Sequence, residues 1–195
     1  MEQYTVSPLD WKLLSSEYLY NDGWFTARKD RCEMPSGKIV DPYYVLEYPN
    51  WVNAVALTEG GEVILIRQYR HALGRTILEI PGGCMEKTDK DPAEAMAREL
   101  LEETGYAFAT LESLGDISPN PSTNANLTYM FVATGGKKVS DQNLDPNEQI
   151  DILTCSPEAV MRLLEENKIV QSLHVTCIFY AAMKLGWLKS ALGGR

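Results

Sequence analysis

Four charged side chains, Arg98, Glu99, Glu102 and Glu103, crowd the end of one segment, PGGCMEKTDKDPAEAMARELLEETGY (81–106), and run up to Gly105. The segment reads as a helix. Asp91 can cap it, Pro92 suits its first position, and Glu94 stands where a capping box wants an acid. Gly105 supplies a left-handed stop. Glu99 and Glu103, four apart, share one face that Glu102 borders, whereas Met96, Ala97, Leu100 and Thr104 fall on the other side, toward a core. Like charges at that spacing repel by a few tenths of a kcal/mol per pair, about 0.2–0.5 on an exposed helix. Glutamates near a helix C-terminus also oppose its dipole. A segment shaped only for helix stability would carry lysines there. A divalent cation held against the face resolves the conflict, and hard carboxylate oxygens suit magnesium or manganese. A solvated acidic surface would have the same composition, so the helix alone leaves both readings open. Gly82 and Gly83 shift the balance, because backbone without side chains can approach a metal or a phosphate closely. The joint occurrence of glycine turn and acidic helix carries the weight.

The rest of the chain must position these groups. Its 195 residues, 45% apolar, are enough for one core, and 27 acidic against 18 basic residues give a net charge of -9. That balance argues against a nucleic-acid partner, which calls for a basic footprint, but not against a nucleotide ligand. Cys32, Cys84, Cys155 and Cys177 form no C-x-x-C pair, and His71 and His174 are the only histidines. Zinc and a disulfide framework are therefore disfavoured, and reduced thiols point to the cytoplasm. The first residues lack a signal peptide's basic start and apolar core, and no apolar run approaches the roughly 20 residues of a membrane span.

Residues 12–48 read as strands punctuated at YNDGW and MPSGK, and NAVALTEGGEVILIRQYRH as a hairpin around Gly60-Gly61. TILEIPGG is a strand ending in a glycine turn, NLTYMFVATGG and EQIDILTCS are further strands, and helices follow from Ser156 to about Asn167 and over 172–189. The mixed order predicts an α+β fold, an α/β/α sandwich on one mixed sheet. Residues 1–48 form an N-terminal antiparallel β appendage with little core of its own, and 49–195 form the main domain.

The segment from Gly82 to Tyr106 resembles the Nudix box, G-x5-E-x7-R-E-U-x-E-E-x-G-U with U apolar. The second half matches at Arg98, Glu99, Leu100, Glu102, Glu103, Gly105 and Tyr106; the first half departs, with Asp89 in place of the early glutamate and one residue inserted before the helix. The likeness extends from about Tyr44 to Leu188, and "QYR" with "LEIPGG" is similar to the ADP-ribose pyrophosphatase branch. The resemblance implies the Nudix fold and Mg²⁺-dependent hydrolysis of ADP-ribose or a related nucleoside diphosphate sugar, with Mn²⁺ as a substitute. A GDP-mannose type of substrate, or a sensing module without chemistry, is the alternative. It implies Glu99, Glu103 and the Gly82 carbonyl as metal ligands, Glu102 assisting, and Arg98 aiming a neighbouring carboxylate. Arg70 would contact phosphate, with Arg67 a weaker candidate, and Glu79 would hold the substrate or its metals. Pro121, or else Pro119, matches a proline-bearing turn. Glu148, on a loop opposite the box, is the implied base, with Glu99 its rival. Trp24, Tyr43, Tyr44 and Trp51 are candidates to stack on the base, Tyr44 and Trp51 foremost. In that branch the N-terminal strands pack between subunits, which implies a homodimer.

Overall fold

The computed structural model describes residues 7–22 and 25–188 and divides into two units, Met1–Tyr48 with Ser118–Asn126, and Pro49–Ile117 with Leu127–Arg195. Trp24 lies outside the described residues.

The first unit is an antiparallel sheet of β1 (Lys12–Asn21), β2 (Thr26–Glu33) and β3 (Ile39–Glu47), in that order. Tyr18 and Tyr20 of β1 and Ile39, Val40, Tyr43, Tyr44 and Val45 of β3 favour strands, β2 between them is largely charged, and Gly37, at φ 79°, closes the turn between β2 and β3. The segment 118–126 runs along β3: Leu46 N donates to Thr123 O at 2.7 Å and Ala125 N to Leu46 O at 3.0 Å. Among the described residues Val45 is the only buried apolar side chain of this unit, while Leu13, Tyr18, Leu19, Tyr20 and Tyr44 are exposed.

The second unit is built on β4 (Trp51–Thr58), β5 (Val63–Arg70), β6 (Arg75–Glu79), β7 (Gly82–Cys84), β8 (Tyr106–Ala107), β9 (Thr110–Ile117), β10 (Thr128–Lys138) and β11 (Ile150–Cys155). The main path runs β11-β5-β4-β10-β8, with β6 on β5, β7 on β4 and β9 on β10. β4 and β10 are parallel and the other pairs antiparallel, so the sheet is mixed. Two-residue alternation divides its faces. Val52, Ala54 and Ala56 of β4, with Phe131 and Ala133 of β10, pack against α1 (Pro92–Thr104) through Ala95, Met96 and Leu100. Val55 and Met130 face the other way, onto Val160 of α2 (Pro157–Glu165) and Cys177, Ile178 and Ala181 of α3 (Ser172–Leu185). Burial on both faces is why the central strands carry near-continuous apolar runs. The expected sandwich is the observed one.

Three details differ from the sequence reading. Gly82–Cys84 is not only a turn but a short strand on β4, with Asn53 opposite Gly82. β9 was not foreseen, because Glu112 and Asp116 interrupt its apolar pattern; it pairs with β10 alone, as an edge strand where charge is tolerated. α3 stops at Leu185 rather than 189, where Gly186 takes a left-handed φ of 76°. No helix among the described residues is long and apolar enough to cross a membrane.

Candidate metal and diphosphate site

α1 is set by its ends. Asp91 Oδ1 accepts from Glu94 N at 2.9 Å, and Glu94 Oε2 reaches back to Lys90 N at 2.6 Å, one residue before the N-cap, so the cap forms as a variant of the expected box. At the far end Gly105 is left-handed, and a Cβ on it would also lie 2.2 Å from Ser140 O. The buried stripe runs through Ala95, Met96, Leu100, Glu103 and Thr104. Ala97, expected in the core, is exposed, since the stripe passes to the other side of it. The same rotation carries Glu103 inward, leaving it 3% exposed. A solvated acidic face would have left it outside.

β7 is what Glu103 and Glu99 face. Gly82 N donates to Glu103 Oε2 at 2.9 Å. Glu99 occupies the space a side chain on Gly83 would need: a Cβ there would fall 2.4 Å from its Cδ and Oε1. The glycines therefore allow the strand and the carboxylates to touch. Burial, with the charges of Glu102 and Glu148 nearby, pushes the Glu99 carboxyl up to about 7 against the pull of Arg98. Burial raises Glu103 well above the usual carboxylate range, and the charges of Glu99 and Glu148 add to the effect.

Arg98 organises the outer half. Its Nη1 donates to Glu99 at 3.0 Å and Glu102 at 2.9 Å, its Nη2 to Cys84 O at 2.9 Å, and its Nε and Nη2 to the two oxygens of Asp89 at 3.2 and 3.1 Å. Burial works against its charge, yet these carboxylates hold it more firmly protonated than usual. Asp89, where the box pattern wanted a glutamate, still reaches Arg98, and the hydrogen bond holds its carboxyl below the ordinary range. The inserted residue is absorbed by the turn in which Asp89 Oδ2 also accepts from Glu86 N at 2.7 Å.

Other candidates fall as follows. Arg70 on β5 forks onto Glu79 of β6 with contacts of 2.8, 3.1 and 3.2 Å, and Glu79 is 1% exposed. Burial raises the Glu79 carboxyl although Arg70 opposes it. Arg67 pairs with Asp151 of β11 at 3.3 Å, both well exposed, a kind of pair that contributes little. Trp51, half-buried, stands opposite Cys84 of β7. Tyr44 is an exposed residue of β3 in the first unit, and Tyr43 Oη donates to Ser122 O at 2.7 Å there. Glu148 is exposed on the loop between β10 and β11, in a turn where its N donates to Asp145 O at 2.9 Å. Its charge is felt at both Glu99 and Glu103.

The donors fit a hard cation. Among the described residues Glu103 is buried against a single backbone donor, Glu99 lies beside it, and both meet the two glycines that open β7. Among the described residues no three His, Cys, Asp or Glu side chains close into a cage. Magnesium does not require one, since it binds through one or two carboxylates and completes its shell with water and phosphate oxygens.

Known proteins share this architecture. Residues 48–174 match the family model of the Nudix domain, and residues 11–46 that of the nucleoside diphosphate sugar hydrolase N-terminal domain. The chain belongs to the Nudix family. An ADP-ribose pyrophosphatase of Mycobacterium tuberculosis is 32% identical over 168 residues, 85% of this chain and 80% of the relative. A methanol dehydrogenase activator of Bacillus methanolicus is 28% identical over 174 residues, 89% of this chain and 93% of the relative. A crystal structure of an ADP compounds hydrolase shares the fold, with a TM-score of 0.79, covering 96% of this chain and 98% of that one at 24% identity. Nudix hydrolases use divalent metal ions.

Proposed function

We propose that this Nudix protein hydrolyses the diphosphate bridge of ADP-ribose or a related nucleoside diphosphate sugar with Mg²⁺, giving AMP and ribose 5-phosphate from ADP-ribose. One observation carries the reading: Glu103 is buried beside Glu99 against the paired glycines Gly82 and Gly83 of β7. Glu99, Glu103 and the Gly82 carbonyl hold the metal, Glu102 assists, and Mn²⁺ substitutes. A divalent cation held there would supply charge neutralisation for the diphosphate and orientation for the attacking water. Arg98 aims Glu99 and Glu102. Arg70, its fork fixed by Glu79, contacts phosphate oxygens; Arg67 is the weaker candidate because Asp151 already pairs with it. Trp51 and Tyr44 are the candidates to stack on the base.

Water adds across the bridge: its oxygen bonds to one phosphorus, the bridging P–O bond breaks, and a water proton leaves to a carboxylate. Glu148 takes that proton and Glu99 is its rival. Glu148→Gln is expected to lower turnover about a hundredfold while calorimetry shows metal uptake retained; full turnover would remove Glu148 from the role. The substrate class is tested by incubating the protein and Mg²⁺ with ADP-ribose, GDP-mannose, diadenosine polyphosphates and NADH and identifying products. ADP-ribose and GDP-mannose both left intact under conditions where another substrate is cleaved would overturn the assignment.

The first unit, with Val45 its only buried apolar residue among those described and Tyr18, Leu19 and Tyr20 exposed, supports a homodimer formed through residues 1–48. Light scattering on the eluted protein should give twice the chain mass, and a clean monomer would count against it. Four free thiols accord with a cytoplasmic setting.

A further inference from the structure

A helix leaves its last carbonyls without intrahelical partners, and α1 has them taken by the segment that leads to Glu148. Glu102 O accepts from Asn143 N at 2.9 Å, Glu103 O from Gln142 Nε2 at 2.7 Å, and Thr104 O from Lys138 Nζ at 2.8 Å. Gly105 O accepts from Val139 N at 2.9 Å and Ser140 N at 3.2 Å. Donors, one of them cationic, thus meet the negative end of the helix dipole.

Gln142 does something the others do not. The same Nε2 that donates to Glu103 O also donates to Ile150 O at 3.2 Å. Glu103 belongs to the carboxylate helix, and Ile150 is the buried first residue of β11, opposite Gln68 of β5. One primary amide has two N–H groups, enough for both carbonyls. The stretch 143–149 therefore leaves α1 and rejoins the sheet at two points that a single side chain ties together. Glu148 lies between them, and the bonds Glu148 N to Asp145 O at 2.9 Å and Asp145 N to Glu148 Oε2 at 3.3 Å are internal to the stretch. They shape the turn without fixing it to the domain.

We propose that Gln142 is a positioning residue: its amide clips the root of the Glu148 loop to the carbonyl of Glu103 and so sets where Glu148 meets the carboxylates of α1. The inference rests on the assignment of Glu148 as the proton acceptor. Losing the clip displaces the loop, while Lys138, Ser140 and Asn143 still cap the helix and keep the metal-holding face in place. Misplacing a reacting group by about 1 Å costs up to about a hundredfold in rate.

The test compares wild type, Gln142→Ala, Glu148→Gln and the double variant. Gln142→Ala should lower kcat on ADP-ribose about tenfold, keep calorimetric Mg²⁺ affinity within about twofold, and speed amide exchange over residues 143–149. On the Glu148→Gln background it should cost less than about twofold more, because the two act through one group. Unchanged kcat, an undiminished tenfold loss in the double variant, or metal affinity falling in step with kcat would each overturn the proposal. If Glu148→Gln itself keeps full turnover, the base assignment has failed, and exchange then judges the clip alone: unchanged protection of 143–149 overturns it, and faster exchange confined there supports it.

Discussion

Glu103→Gln is expected to lower turnover about a thousandfold without weakening the metal-free fold. Most losses of function that strike a buried residue also destabilise. Here the two effects separate because Glu103 is a misfit in the fold taken alone. It is 3% exposed and among the described residues receives one backbone donor, Gly82 N at 2.9 Å, with the charges of Glu99 and Glu148 nearby. Burying a carboxylate so poorly compensated is unfavourable. Glutamine has the same shape, keeps an oxygen for Gly82 N, and removes the charge. A cation held against this face reverses the balance for the native residue, since whatever binds only the folded state stabilises it. Thermal unfolding checks both halves. In chelator the variant should melt no lower than wild type, and Mg²⁺ should raise the wild-type midpoint while leaving the variant's in place. A variant that still gains stability from Mg²⁺ and still turns over would remove Glu103 from the ligand set.

What the sequence disclosed, and what it withheld, follows from the range of the interactions. α1 was legible from end to end because Asp91, Pro92, Glu94 and Gly105 act within a turn of where they sit. The sandwich was legible from the order of the elements, strands first and helices interspersed. The burial of Glu103 was not, because it depends on β7 pairing with β4 in a register that sets Gly82 opposite Asn53. A three-residue strand with two glycines has no periodicity to betray it. Arg70 and Glu79 were each singled out, yet their bidentate pairing belongs to the β5–β6 register, in which Ile66 stands opposite Glu79 and Arg70 opposite Arg75. Asp89 stood one residue out of pattern, and only the folded turn shows that it still reaches Arg98. Gln142 carried no signal at all. A glutamine in an irregular loop looks like any other until the two carbonyls it joins, 47 residues apart at positions 103 and 150, are brought together.

Gly83→Ala and Gly82→Ala, one methyl each on neighbouring residues, are expected to fail in different ways. Neither glycine has a positive φ, so neither substitution strains the backbone and the outcome depends on what the new Cβ meets. At position 83 it meets the far end of one flexible side chain, with Glu99 Cδ and Oε1 at 2.4 Å and Oε2 at 2.5 Å. That carboxylate can swing aside at little cost to folding, but it then leaves the place where it stands beside Glu103. Gly83→Ala should therefore melt within a few degrees of wild type and lose about a hundredfold in turnover, an effect in the range of removing one transition-state donor. At position 82 the Cβ meets Val52 O at 2.4 Å, Asn53 Cβ at 2.8 Å and Asn53 Cα at 2.9 Å, the backbone of a central strand that cannot swing. Gly82→Ala should separate β7 from β4 and cost about 3 kcal/mol of stability, at the upper end of what overpacking costs, so that fold and activity fall together. Melting temperature set against turnover for the two variants distinguishes the mechanisms. If Gly83→Ala kept full turnover, the position of Glu99 against β7 would not matter to the chemistry, and the carboxylates would have to act from somewhere other than the strand they face.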